Sequence, residues 1–313
     1  MGIYRCRPAV KDYLWGGDRL IQEWNIKTKH ETAAEAWVLS CHPDGPCVIE
    51  GGEYDGRTLA EVIQELGREV LGTDATAYDD FPILIKLIDA KNDLSIQVHP
   101  SDDYALEHEH QYGKTEAWYI LDAKPGASLY YGFREEISAE EFADRIRKGT
   151  LTEVLNRVGV KKGDMFFIPP GTLHAIGSGI LLAEIQQNSN VTYRVYDYDR
   201  QDAAGNKREL HIDKALEVTD RKRPVPAEHG THLVSCAYFT VDRSSCTENG
   251  GVIVGITDEN SFTGILVIDG EGELALDGES EVFECSKGDS FFITAGSGEW
   301  RVRGSAELLV TTV

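Results

Sequence analysis

The segment Lys-Gly-Asp-x-Phe-Phe-Ile occurs twice, at 162–168 and 287–293, and in both copies a further glycine, Gly171 or Gly296, follows three residues later. The stretches before them also align, 116–126 with 263–273, which sets Glu116 on Thr263, Asp122 on Asp269 and His174 on Glu299. Two copies of one β-barrel unit explain this most simply; shared turn residues on amphipathic strands are the plain alternative. Short apolar, β-rich runs separated by Gly, Pro and Asp fill most of the remaining chain, among them AWVLSCH, CVIEGG, ASLYYGF and ELLVTTV. That rhythm predicts a mainly β protein whose antiparallel sheets close into barrels or sandwiches.

Helices are expected in few places. Thr58 with Glu61, Ser138 with Glu141 and Thr150 with Glu153 each have capping-box spacing, in which the hydroxyl accepts from a free backbone N–H and the acid reaches back. Leu59, Val62, Ile63 and Leu66 follow the first box at helical spacing. The other two boxes predict a helical insertion at about 137–158, and HIDKALEV at 211–218 reads as a short helix. Charged, Pro-rich 221–230 is the expected linker between an N-terminal domain, 1–220, and a C-terminal one, 231–313.

Charge narrows the choice of partner. With 31 basic and 53 acidic residues the net charge is −22, which opposes nucleic acid and anionic membrane, so neither is expected. No apolar stretch approaches the roughly 20 residues that span a bilayer. The start, MGIYRCRPAVKDYLWGGDRL, lacks the apolar core and cleavage site of a secretory signal, so a cytoplasmic location is expected. Cys6, Cys41, Cys47, Cys236, Cys246 and Cys285 show no metal-like spacing and read as reduced thiols without a role.

The first copy carries G-x5-P-x-G-x2-H as Gly163, Pro169, Gly171 and His174, and so resembles the second motif of the cupin barrel. Upstream, Gln97 and His99 are two apart and face one side of a strand, and Glu116 begins the next. Two imidazoles, a carboxylate and an amide oxygen form a donor set that suits zinc. His30, His42, His108, His110, His211, His229 and His232 lack such neighbours and read as structural. The second copy has no Gln-x-His and is expected to be metal-free.

Taken together, FPILIKLIDAKNDLSIQVHP, YGKTEAWYI, PPGTLHAIG and EIQQNSNVTYRVYDYDR closely resemble the short bacterial form of type I mannose-6-phosphate isomerase, and the similarity extends over nearly the whole chain. The resemblance implies a double cupin with a helical insertion, interconversion of mannose 6-phosphate and fructose 6-phosphate, and one Zn2+ per chain held by Gln97, His99, Glu116 and His174. It also implies that Arg194 is the catalytic arginine. Gly113-Lys114-Thr115-Glu116 departs from the H-K-P-E of longer members, which keeps the lysine and glutamate spacing but leaves no family role for Gly113 or Thr115.

An aldose–ketose exchange needs a proton-moving group and an electrophile that steadies an enediolate. Glu184 is the candidate base, with a buried ion pair to an arginine as its plainer reading, and Lys114 joins it as a catalytic residue. Lys86, Lys114 and Arg194, with Ser95, are the expected phosphate-binding set. A non-catalytic, metal-containing sugar-phosphate-binding cupin is the rival from another class, and a different phosphosugar isomerase or an oxygenase is the rival enzyme.

Overall fold

A computed structural model describes residues 2–201, 205–225 and 230–313, with the backbone alone for 247–249. Residues 226–229 of the expected linker, including His229, lie outside the described residues. Three sheets with antiparallel ladders account for most of the rest. The six-stranded sheet runs in the order Met165–Ile168, Glu116–Ala123, Ile180–Gln187, Ile83–Ala90, Glu35–Leu39, Ala9–Lys11. The five-stranded sheet runs Tyr193–Tyr196, Ile96–Val98, His174–Ala175, Ser128–Phe133, Leu155–Gly159. Six strands from His232 onward form an eight-stranded sheet with two from the N-terminal part, Ile3–Arg7 and Val48–Ile49.

The two copies of the repeat fold alike, atom for atom at the turn. Met165 pairs with Tyr119 and Ile168 with Glu116, and in the same register Ser290 pairs with Leu266 and Ile293 with Thr263. Gly163 donates to the Ile120 carbonyl at 2.8 Å, and Gly288 to that of Val267 at 2.9 Å. Their φ values of +90° and +99° are open to glycine and strained for other residues. Asp164 accepts from the Lys161 N–H and Asp289 from that of Ser286, so each aspartate closes its own turn.

Alternation along the central strands sorts the core into layers. Ile83, Ile85, Leu87, Leu181, Ala183 and Ile185 leave the six-stranded sheet on one face and pack with Phe262, Leu266, Phe292 and Leu309 of the eight-stranded sheet. On the other face Ile88, Ile180, Leu182 and Trp118 meet Leu129, Tyr131 and Ile176 from the five-stranded side. Both faces being covered, these strands are buried throughout. The outer face of the five-stranded sheet is closed by Phe142 and Ala215, which lie on helices Ala139–Lys148 and Ile212–Val218.

Thr58 and Glu61 make both bonds of a capping box at the start of helix Leu59–Leu66, and Ser138 caps Ala139–Lys148. The expected helix after Thr150 is absent: a three-residue 3-10 turn, Leu151–Glu153, gives way to the strand Leu155–Gly159. Arg145 takes the Glu153 carboxylate at 2.8 Å, so that acid does not return to Thr150, whose side chain caps nothing. The six cysteines are free thiols. No helix among the described residues is long and apolar enough to cross a membrane.

Candidate active site

Two rows of paired residues face each other across the first barrel. In the six-stranded sheet Trp37 stands opposite Lys86, Lys86 opposite Glu184, and Glu184 opposite Trp118. In the five-stranded sheet Arg194 is opposite Gln97, and Gln97 opposite His174. Strand register thus gathers side chains that lie far apart in sequence, because residues paired across neighbouring strands share a face.

His99, Glu116 and His174 offer donor atoms within 4.8 Å of one another, the one such His/Cys/Asp/Glu cluster among the described residues. All three are buried. Nδ1 of His99 lies 2.8 Å from the Val191 carbonyl oxygen and Nδ1 of His174 2.8 Å from that of Thr172. Each Nδ1–H donates there, so each Nε2 keeps a lone pair for a metal. Burial pushes His174 down to about 4 and, with the Lys114 charge adding, holds His99 well below its ordinary value. Both are therefore neutral near pH 7, as ligation requires.

Glu116 completes the set, its oxygens 3.5 Å from His99 Nε2 and 3.3 Å from His174 Nε2. Neither oxygen accepts a hydrogen bond, although Lys114 Nζ lies 2.8 Å from Oε2. Burial, and then the Glu184 charge, raises this carboxyl, with Lys114 opposing. A buried carboxylate beside two neutral imidazoles is an arrangement that a divalent cation stabilises. The Gln97 side-chain amide reaches 3.4 Å from His174 Nε2, at the edge of the same cluster.

Above the cluster opens a cavity of about 400 Å3, lined by Lys86, Lys114, Glu184, Ser95, Gln97 and Arg194 among others. Every substrate-binding and catalytic residue expected from the sequence is therefore brought to one place. Glu184 accepts from Lys86 at 3.1 Å and from Trp118 Nε1 at 2.9 Å, with Lys114 Nζ 3.7 Å away. Burial raises its carboxyl, but Lys114 and Lys86 outweigh that and hold it below the ordinary range. Its partners are thus lysines, where the sequence suggested an arginine. Lys86 Nζ also lies 4.0 Å from Glu35 and 5.0 Å from the Trp37 ring centre. Arg194 forms no ion pair among the described residues; it donates to Ser95 Oγ at 3.3 Å and to the Glu209 carbonyl at 3.2 Å.

Tyr13, Trp15, Arg208 and His211 are among the lining residues that sequence reasoning missed. Tyr13 and Trp15 precede the pair Gly16-Gly17, and a Cβ on Gly16 would fall 2.4 Å from that of Ala34. This close approach is the signal that YLWGG carried. Nothing local marks Arg208, and His211, read as structural, has Nδ1 3.3 Å from the backbone N of Arg194. In the second barrel the equivalents differ: Thr263 bonds Thr257 at 2.7 Å, Glu299 pairs with Arg301 at 2.6 Å, and Ile265, Phe291, Trp300 and Val302 fill the interior.

The fold is that of a double cupin, and its first barrel carries a cluster of His99, Glu116 and His174 that could hold a metal ion. The family model for the phosphomannose isomerase type I catalytic domain matches residues 3–127, and that for the mannose-6-phosphate isomerase cupin domain matches 229–313. The chain belongs to the type I mannose-6-phosphate isomerase family, and its activity is that of a mannose-6-phosphate isomerase. It is 39% identical to mannose-6-phosphate isomerase ManA of Bacillus subtilis, with 97% of each chain covered. It is 37% identical to the mannose-6-phosphate isomerase of Streptococcus mutans, over 95% of this chain and 94% of that one. The crystal structure of the Bacillus subtilis mannose 6-phosphate isomerase superposes over 100% of both chains with a TM-score of 0.89 at 35% identity. A mannose 6-phosphate isomerase solved with zinc and yttrium, 16% identical, shares the fold at a TM-score of 0.79 over 99% of each chain.

Proposed function

We propose that the chain is a zinc-dependent aldose–ketose isomerase that converts mannose 6-phosphate and fructose 6-phosphate through an enediolate. The observation that carries this is the buried Glu116 carboxylate set against the Nε2 atoms of His99 and His174, with Arg194, in no ion pair among the described residues, lining the adjoining cavity. His99, Glu116 and His174 would hold the ion, with Gln97 as a fourth donor; nitrogen and oxygen donors in this number suit zinc. When bound, it supplies an electrophile that polarises the substrate oxygens and acidifies the neighbouring C–H.

The chain's own residues do the rest. Glu184 stays ionised beside Lys86 and Lys114 and is the group in the cavity that takes a proton from one carbon. Lys114, 3.7 Å from it, gives a proton to the other carbon and recovers one from the protonated Glu184, so both groups end as they began. Arg194 presents a planar guanidinium to the developing oxyanion, a geometry that lysine does not reproduce. Lys86 is engaged by Glu184 and Glu35, so we assign it to holding the base instead of the phosphate. A paired acid and base inside the cavity also favours catalysis over simple sugar binding.

A coupled assay of mannose 6-phosphate turnover before chelation, after it, and after zinc restoration tests the proposal. Activity should vanish and return; full activity in metal-free protein would overturn it.

A further inference from the structure

The cavity divides by charge. Its deep end has Lys86 and Lys114 facing Glu184 and Glu35, two cations against two carboxylates. Its mouth has Arg194, Arg208 and His211, with the Asp197 carboxylate behind Arg208 and that of Glu209 3.9 Å from His211. In a chain of net charge −22, two guanidinium groups at a cavity mouth, one seated on Asp197 and the other in no ion pair among the described residues, are an exception that calls for an anion.

Arg208 is held for such a task. Its Nε donates to Asp197 Oδ2 at 2.7 Å and its Nη2 to Oδ1 at 2.5 Å, a two-point pairing that fixes the plane of the guanidinium. Its Nη1 makes no hydrogen bond among the described residues, so one edge of the fork remains available. Asp197 is buried and also accepts from Arg200, which reaches on to the Asp93 carbonyl. Tyr198 and Asp199 carry the turn between them at φ +56° and +55°, a left-handed conformation in two consecutive non-glycine residues that the surrounding bonds impose. Arg194 feels the result: burial first, then the Arg208 charge, lowers its pKa. Two cations that disfavour each other in this way are both stabilised by a dianion bound between them.

We propose that Arg208 is the phosphate anchor, held on Asp197 so that its free edge binds the phosphate of the sugar at the cavity mouth and leaves the reacting carbons at the metal cluster. This rests on the isomerase reading above and adds the residue that selects a phosphorylated substrate.

Steady-state kinetics with mannose 6-phosphate, and calorimetry with inorganic phosphate as the probe, test it on the zinc-loaded chain and on Arg208→Ala, Arg208→Lys and Arg200→Ala. Losing a charge-assisted bond to phosphate should raise KM by about tenfold or more in Arg208→Ala, with kcat within about twofold. Phosphate binding should be lost in the same variant, and Arg208→Lys should fall between. Arg200→Ala, which touches the same carboxylate but not the cavity, should keep both. An unchanged KM in Arg208→Ala overturns the proposal, as does an equal rise in Arg200→Ala, because that result assigns the effect to the Asp197 turn. If the unaltered chain shows no turnover, the isomerase reading fails, whereas phosphate binding that only the Arg208 variants lose still upholds the anchor.

Discussion

Single atoms decide what this site can hold. Because Nδ1 of both His99 and His174 is spent on a backbone carbonyl, rotation or tautomer exchange of either ring would break a buried hydrogen bond. Replacing either histidine by Ala should therefore remove the metal and the activity together, as elemental analysis of the purified variants would show. Glu299→Gln, at the equivalent position of the second barrel, should leave metal content unchanged. Arg194 makes a sharper case, since no ion pair joins it to Glu184 and its bonds go to Ser95 and a carbonyl. Arg194→Ala should lower kcat by roughly a hundredfold or more, the scale of a lost oxyanion donor, with KM and melting temperature little changed. Arg194→Lys should be similarly slow if the planar fork matters. A variant that keeps its turnover but melts far earlier would make Arg194 structural. Gly113, where the chain departs from longer relatives, has a local reason: a Cβ there would lie 2.5 Å from the backbone N of Asp102.

At the scale of elements, the sequence was readable wherever a local bond carries the signal. The capping box at Thr58 is complete, with Glu61 Oε2 accepting from the Thr58 N–H at 2.8 Å, so Thr58→Ala should cost about 0.5–2 kcal/mol in urea unfolding and leave KM untouched. An unchanged midpoint would show that packing of Val62 and Ile63 alone sustains the helix. The K-G-D turn was equally legible, since glycine φ and the aspartate bond belong to residues three apart. Thr150 had the same spacing and failed, because Arg145, on the preceding helix, claimed Glu153. Helix Asp102–His108 went unseen: it is seven residues long, Ser101 does not cap it, and of its side chains only Ala105 is buried, so no apolar period announces it. His99, Glu116 and His174, which the structure clusters, were singled out from motif spacing. Their assembly was not, since Glu184 beside Lys86 and Gln97 beside His174 follow from strand register, which no stretch of the chain encodes locally. Arg208 was missed for the same reason, its meaning lying in Asp197 and the cavity behind it.

For the whole molecule, the six-stranded sheet ties the active barrel to the second one. Its inner face carries Lys86, Glu184 and Glu116, and its outer face is sealed by Phe262, Leu266, Phe292 and Leu309. The N-terminal strand Ile3–Arg7 crosses the same boundary, pairing with Ser290–Ile293. A chain ended after Pro224 would thus lose a strand partner at its N-terminus and expose Ile85, Leu181 and Ile185 on a flat face, a surface that soluble monomers avoid. The position of Glu184 opposite Lys86 depends on the register of those two strands, so stability and chemistry should fail together. The truncated chain is expected to aggregate or bind a hydrophobic dye, and to show little isomerase activity even with zinc supplied. The full chain should unfold in one transition when followed by tryptophan fluorescence, to which Trp118 in the first barrel and Trp300 in the second both contribute. Two separated transitions, or a truncated chain that stays monomeric and active, would mean that the first barrel is a self-sufficient enzyme and the second an attachment without structural consequence for the site.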